Sequence, residues 1–155
     1  MVNVQVGVDN HQTIMAHIEH ALQDLLAATG ASRVTLRQDT PGDYAFPVTH
    51  EAHGPSVPSL VEERTVDLKT QPVVLELLQG RQVVQDDCRA AFDDPAFHRM
   101  LDAYGGLAAQ IVTPIFKAGQ LVAIVSLHQL GRPRHWTEED AAAAAQTADR
   151  IAGLL

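Results

Sequence analysis

The sequence predicts an α+β domain. Three observations carry that expectation. Helical periodicity opens and closes the chain, two long apolar segments flank a short glycine turn near its end, and shorter alternating segments lie between them. In order, the elements are helix, two strands, helix, strand, helix, hairpin, helix. Antiparallel strands with helices at the ends and between them are the α+β pattern. At 155 residues the chain reads as one domain, 1–155. A chain of that size buries about 70% of the surface its unfolded form exposes, so its core needs no disulfide support.

The first helix is expected from about Asn10 to Thr29, because Ile14, Ile18, Ala21, Leu22 and Leu25 recur at helical spacing and Gly30 supplies a stop. Residues 1–9, "MVNVQVGVD", are expected to be flexible or a short strand. "SRVTLRQD" alternates as a strand does, with Val34 and Leu36 on one face and Arg33, Thr35 and Arg37 on the other. "TPGD" reads as a turn. "FPVTHEAH" reads as a second strand, with Phe46, Val48 and His50 sharing one face and Thr49, Glu51 and His53 the other. Gly54 to Lys69 reads as loop or short helix. "TQPVVLELLQG" is helical, with Thr70 as cap, Pro72 in the first turn and Gly80 at the end. "QVVQ" is a short strand, and "DDPAFHRMLDAYGG" a helix entered at Asp94-Pro95. "LAAQIVTPIF" and "QLVAIVSLHQ" are strands joined by "KAGQ". "WTEED" opens the last helix, where Thr137 caps and Asp140 stands three residues on.

Composition narrows the function classes. The formal net charge is −8, which disfavours phosphate backbones and so nucleic-acid binding. The single cysteine, Cys88, rules out an intramolecular disulfide and points to a cytoplasmic setting. No stretch approaches the ~18 apolar residues of a membrane span, and the start lacks the pattern of a leader. His17 and His20 lie three apart on one helix, but no further ligand stands at a zinc spacing, and His50 and His53 fall on opposite strand faces; no metal site is expected. Cys88 follows two aspartates, which raise a thiol's pKa. No nucleophile stands with a base in a known motif, so an enzyme is not expected.

Two constellations could carry binding. Arg33 and Arg37 share a strand face and could clamp a carboxylate or phosphate, or else pair with Glu51 on a solvated face. Phe97, Met100 and Tyr104 lie at i, i+3 and i+7, a row that either lines a pocket or fills it. His128 shares its face with Val122, Ile124 and Ser126, a polar end to an apolar wall. His98 stands four residues before Asp102 and could pair with it.

The element order, with "LAAQIVTPIFKAGQLVAIVSL", "RPRHWTEED" and a closing helix, resembles the GAF domain family. The resemblance is most specific from Phe97 to the end. It implies a central antiparallel sheet with the N- and C-terminal helices on one face and a ligand pocket on the other. The pocket would be bounded by helix 94–104, the strand ending at His128 and the loop after His53. Within the family the chain looks closest to the bilin-binding, phytochrome-like branch. Counting from Pro114, His98 falls on that branch's histidine, His128 on its strand-end histidine and Phe97 on its chromophore-attaching cysteine. A phenylalanine cannot form the thioether, so a covalent bilin there is excluded. The free methionine sulfoxide reductase branch needs two cysteines, and the cyclic-nucleotide signature is absent. The resemblance thus implies a stand-alone, non-catalytic small-molecule sensor. Its sharper variant is a non-covalent tetrapyrrole binder, haem or bilin, using His98 and His128. The others are a GAF-fold enzyme or a ligandless interaction scaffold. Output would pass to a partner signalling protein or through a homodimer of the terminal helices, whose alanines at 141–145 allow close approach.

Overall fold

The computed structural model describes residues 2–39, 46–63 and 71–155, with residues 2–9 as backbone. The elements are α1 (Val2–Thr29), β1 (Arg33–Gln38), β2 (Val48–His53), α2 (Pro72–Leu77), β3 (Val83–Gln85), α3 (Cys88–Ala91), α4 (Pro95–Ala103), β4 (Leu107–Lys117), β5 (Gln120–Leu130) and α5 (Glu138–Ala152). The strands form one antiparallel sheet in the order β2-β1-β5-β4-β3. This is the α+β architecture that the sequence predicts.

Local chemistry explains the boundaries. Asp94 caps α4, its Oδ1 accepting from the amides of Ala96 at 2.8 Å and Phe97 at 3.3 Å, with Pro95 in the first turn. Thr137 and Asp140 form a reciprocal capping box, each side chain accepting from the other's amide at 3.1 Å. The β4–β5 hairpin turns on Ala118 and Gly119, both at positive φ, which suits the right-handed twist of the flanking strands. Trp136 fastens the approach to α5, its indole N–H donating to Gln85 O at 3.1 Å beneath Arg134, whose guanidinium lies 4.4 Å from the ring centre.

One sheet face carries α1 and α5. Ile18, Leu22 and Leu25 of α1 and Ala144, Ala148 and Ile151 of α5 pack on Val34, Leu36, Ile111, Val125 and Leu127. The other face carries a second core, where Val73, Val74, Leu77, Phe97, Met100 and Tyr104 cover Val112 and Ile124. Among the described residues, no helix is long and apolar enough to cross a membrane.

Several expectations are corrected. The first helix begins at Val2, so residues 2–9 are helical rather than a strand. Their alternating valines suggest a strand, but extending a helix that is already nucleated costs little even for β-branched residues. Helix 70–80 is shorter than expected, Pro72–Leu77, and Gln71 occupies the N-cap without a side-chain bond. The short helix α3 is not anticipated at all. The "TPGD" turn and the Thr70 cap lie outside the described residues, as does the loop from 64 onward.

The second strand also differs. A register shift between Leu36 and Arg37 sets Val48 opposite Arg37, while His50 stands opposite Leu36. The bulge therefore splits the expected face: Val48 lies with the second core and His50 turns toward α1, where Glu19 acts on it. Phe46, at φ 50, stands outside the strand, buried in the second core.

Candidate functional site

Arg33, Thr35 and Arg37 point from β1 to one face, as the alternation predicts. That face is not solvated. Arg33 and Thr35 are fully buried and Arg37 is 3% exposed, because β1 is a central strand with α4 and the segment after β2 folded over it. Register places Arg33 opposite His128 of β5 and Thr35 opposite Ser126.

Arg33 is the hub. Its Nε and Nη2 donate to His128 Nδ1 at 3.0 and 2.8 Å, its Nη1 to Pro58 O at 2.8 Å, and its Nη2 to Tyr104 O at 2.8 Å. One guanidinium thus ties together β1, β5, the segment after β2 and the end of α4, using neutral acceptors. Burial pulls its pKa down to about 10, with the charge of Glu51 opposing that shift and Arg37 adding to it, so it stays charged at neutral pH. The expected Arg–Glu surface pair does not form here. Glu51 instead accepts from the Ser59 hydroxyl and from Leu60 N at 2.9 Å.

The arginine sets the state of His128. Nδ1 accepts from Arg33, so the neutral imidazole carries its proton on Nε2. Burial, then the charges of Arg33 and Arg37, hold the His128 pKa well below 6.5. Tyr104 stacks on the imidazole, with ring centres 6.1 Å apart at 22°. Its hydroxyl accepts from Arg37 Nη2 at 3.0 Å, and Arg37 Nη1 donates to Phe46 O at 2.9 Å. Burial lowers the Arg37 pKa and raises that of Tyr104.

These groups border a cavity of about 30 Å³. Arg37, Tyr104, Gln110, Ser126 and His128 form its polar side, and Val73, Val74, Leu77, Met100, Val112 and Ile124 its apolar side. Of the expected site residues, the structure therefore brings Arg37, Met100, Tyr104, Ser126 and His128 to one cavity, with Arg33 directly behind His128. Phe97 and His98 are not among its lining residues. Phe97 is fully buried in the second core, edge-on to Phe92 with ring centres 5.1 Å apart. His98 is half-buried, with Nε2 2.9 Å from Phe92 O and 3.1 Å from Arg89 O. Asp102, its expected partner, pairs instead with Arg89 at 2.6 Å. Helix α2 and Gln110 are lining elements the sequence reading misses. Cys88 is buried away from the cavity, and burial, with Asp87, pushes its thiol up to about 12. Among the described residues no cluster of three or more His, Cys, Asp or Glu is placed to hold a metal.

The state of His128 has a consequence for stability. Its folded pKa lies below its unfolded value near 6.5, so below that pH the unfolded chain binds a proton that the folded chain refuses. The contribution is complete above pH 6.5 and is lost as pH falls. The half-buried His50, also lowered by burial, acts in the same direction. Urea unfolding between pH 7.5 and 5 should show stability falling below pH 6.5 with a slope from His128 that steepens toward at most about 1.4 kcal/mol per unit. His128→Asn, whose amide oxygen can accept from Arg33, should flatten that slope. An unchanged slope in the variant would remove His128 as its source.

The GAF domain family model matches residues 17–155. Among solved structures, the cyanobacteriochrome receptor PixJ is similar at 18% identity, with 92% of this chain and 95% of that chain covered and a TM-score of 0.78. The blue-light absorbing form of the Thermosynechococcus elongatus PixJ GAF-domain gives 18% identity, 94% and 88% coverage and a TM-score of 0.75. The chromophore-binding domain of an unusual bacteriophytochrome from R. palustris gives 18% identity, 97% and 59% coverage and a TM-score of 0.69. No curated protein matches the chain. At these identities the structural likeness is one of fold, and the family match spans most of the sequence. The chain belongs to the GAF domain family.

Proposed function

We propose that this GAF domain is a non-catalytic sensory or regulatory module that binds a small molecule in the cavity between β1, β5, α2 and α4. One observation carries the reading. The hydroxyl of Ser126 and Nε2–H of His128 both belong to cavity-lining side chains that are at least 95% buried, and neither bonds to any described residue. Buried polar groups are ordinarily satisfied, so unspent donors beside a cavity are what a binding site presents. The apolar wall opposite supplies shape and desolvation.

The same geometry argues against catalysis. Among the described residues His128 is the one lining histidine, and its only lone pair is committed to Arg33, so it is no general base for Ser126. Cys88 lies elsewhere, with its thiol protonated at neutral pH. The tetrapyrrole variant has less support. The cavity holds a water or two at about 30 Å³, whereas drug-sized ligands occupy roughly 300 Å³ or more. His98 is tied to backbone carbonyls, and His128 has no free lone pair for iron. Output through a partner protein, or through a homodimer of α1 and α5, completes the proposal. The two helices already pair within the chain, Arg150 bonding Asp24 at 3.2 Å.

The test is a fragment screen of the full chain followed by ¹H–¹⁵N correlation spectra. Binders should shift the amides of Tyr104, Ser126 and His128 together. A screen that leaves all three unmoved would retire the cavity as a ligand site.

A further inference from the structure

The lining chemistry goes further than binding alone. Resting on the reading of this cavity as a ligand site, we infer that its ligand is a small carboxylate of about acetate size.

Charge comes first. Among the described residues the lining contains no aspartate and no glutamate. Among the described residues its polar groups are the Arg37 guanidinium, the Tyr104 and Ser126 hydroxyls, the Nε2–H of His128 and the Gln110 amide, whose Nε2 donates to Gln85 Oε1 at 2.8 Å. The Tyr104 oxygen already accepts from Arg37, which leaves its hydrogen to donate. The tautomer of His128 is set by Arg33, so the imidazole offers the cavity a donor and no acceptor. Behind it, Arg33 holds a fully buried positive charge among neutral partners. Glu51 and Glu63 moderate the field of the two arginines, but neither lines the cavity. Convergent donors in a positive, desolvated field suit an anion, and donor–carboxylate hydrogen bonds are the stronger kind.

Size and shape select within anions. About 30 Å³ takes a water or two, and the two oxygens of a carboxylate can replace them. The opposite wall, Val73, Val74, Leu77 and Met100, suits a methyl or short alkyl stub and gives an ammonium group no carboxylate. Amines and amino acids therefore fit poorly. A long or aromatic acid would have to displace α2.

The test uses the ¹⁵N-labelled full chain, titrated with sodium acetate, with sodium chloride at equal ionic strength, and with acetamide, the neutral isostere. Acetate is expected to shift the amides of Tyr104, Ser126 and His128 and to bind roughly tenfold or more tighter than acetamide. Ser126→Ala should keep the native spectrum yet weaken acetate several-fold. Equal binding of acetamide, or equal shifts with chloride, would overturn the carboxylate assignment while leaving the site. Fragments that shift these amides when acetate does not would do the same. Silence from acetate and from every fragment would overturn both the assignment and the site.

Discussion

Arg33→Met is expected to lower stability by about 3–6 kcal/mol. The variant strips a donor from three buried acceptors, His128 Nδ1, Pro58 O and Tyr104 O. Each unsatisfied buried group costs about 1–3 kcal/mol. For a domain of this size the midpoint of thermal unfolding should fall by about 10 °C or more. Part of the loss is offset because a buried charge disappears with the side chain. Arg33→Lys should recover only a fraction, since an ammonium cannot span the acceptors that the planar fork reaches. Arg89→Met removes an arginine from an exposed pair with Asp102 and should stay within about 0.5 kcal/mol of the parent. Urea unfolding of the three variants measures this order. A loss under 1 kcal/mol for Arg33→Met would mean that β1, the end of α4 and Pro58 are not held through this guanidinium.

Phe97→Ala is expected to cost about 3–5 kcal/mol, as for other fully buried aromatics. Phe97 has no exposed surface and packs edge-on against Phe92, so its removal leaves a void and an unpartnered ring. Phe97→Leu, which keeps most of the apolar volume, should recover the greater part. The result bears on function. By resemblance Phe97 stands where phytochrome-like relatives carry the attaching cysteine, yet here the side chain belongs to the core. Phe97→Cys should therefore be destabilised and should stay colourless with biliverdin. A coloured adduct would show that this position does reach a chromophore site.

Much of the fold is legible because its signals are local. The Asp94-Pro95 entry, the Thr137–Asp140 box and the "KAGQ" turn each lie within a few residues of the groups they satisfy, and each appears where expected. The alternation of β1 correctly separates Val34 and Leu36 from Arg33, Thr35 and Arg37. What alternation cannot say is what covers the polar face. Burial of Arg33 depends on Tyr104 and His128, 71 and 95 residues away, and no local pattern distinguishes that environment from water. The bulge opposite Arg37 is similarly invisible, since it reflects competition between ladder pairing and burial of Val48. At the site, the row from Phe97 to Tyr104 is read correctly as one buried face. The sequence does not divide it, whereas the fold sends Met100 and Tyr104 to the cavity and Phe97 to the packed core. Two lone signals could have pointed to Gln110 and α2: a polar residue inside the otherwise apolar β4, and a valine-leucine stripe on a short helix.

Arg33 locks His128 as a neutral, Nε2-protonated donor facing the cavity. A long-range ¹H–¹⁵N spectrum of the His128 imidazole, followed from pH 7.5 to pH 5, tests it most directly. The expected result is a single neutral tautomer with Nδ1 as hydrogen-bond acceptor, unchanged well below the ordinary histidine pKa of about 6.5. Titration near 6.5, or a proton on Nδ1, would contradict it and would take the donor-lined cavity with it.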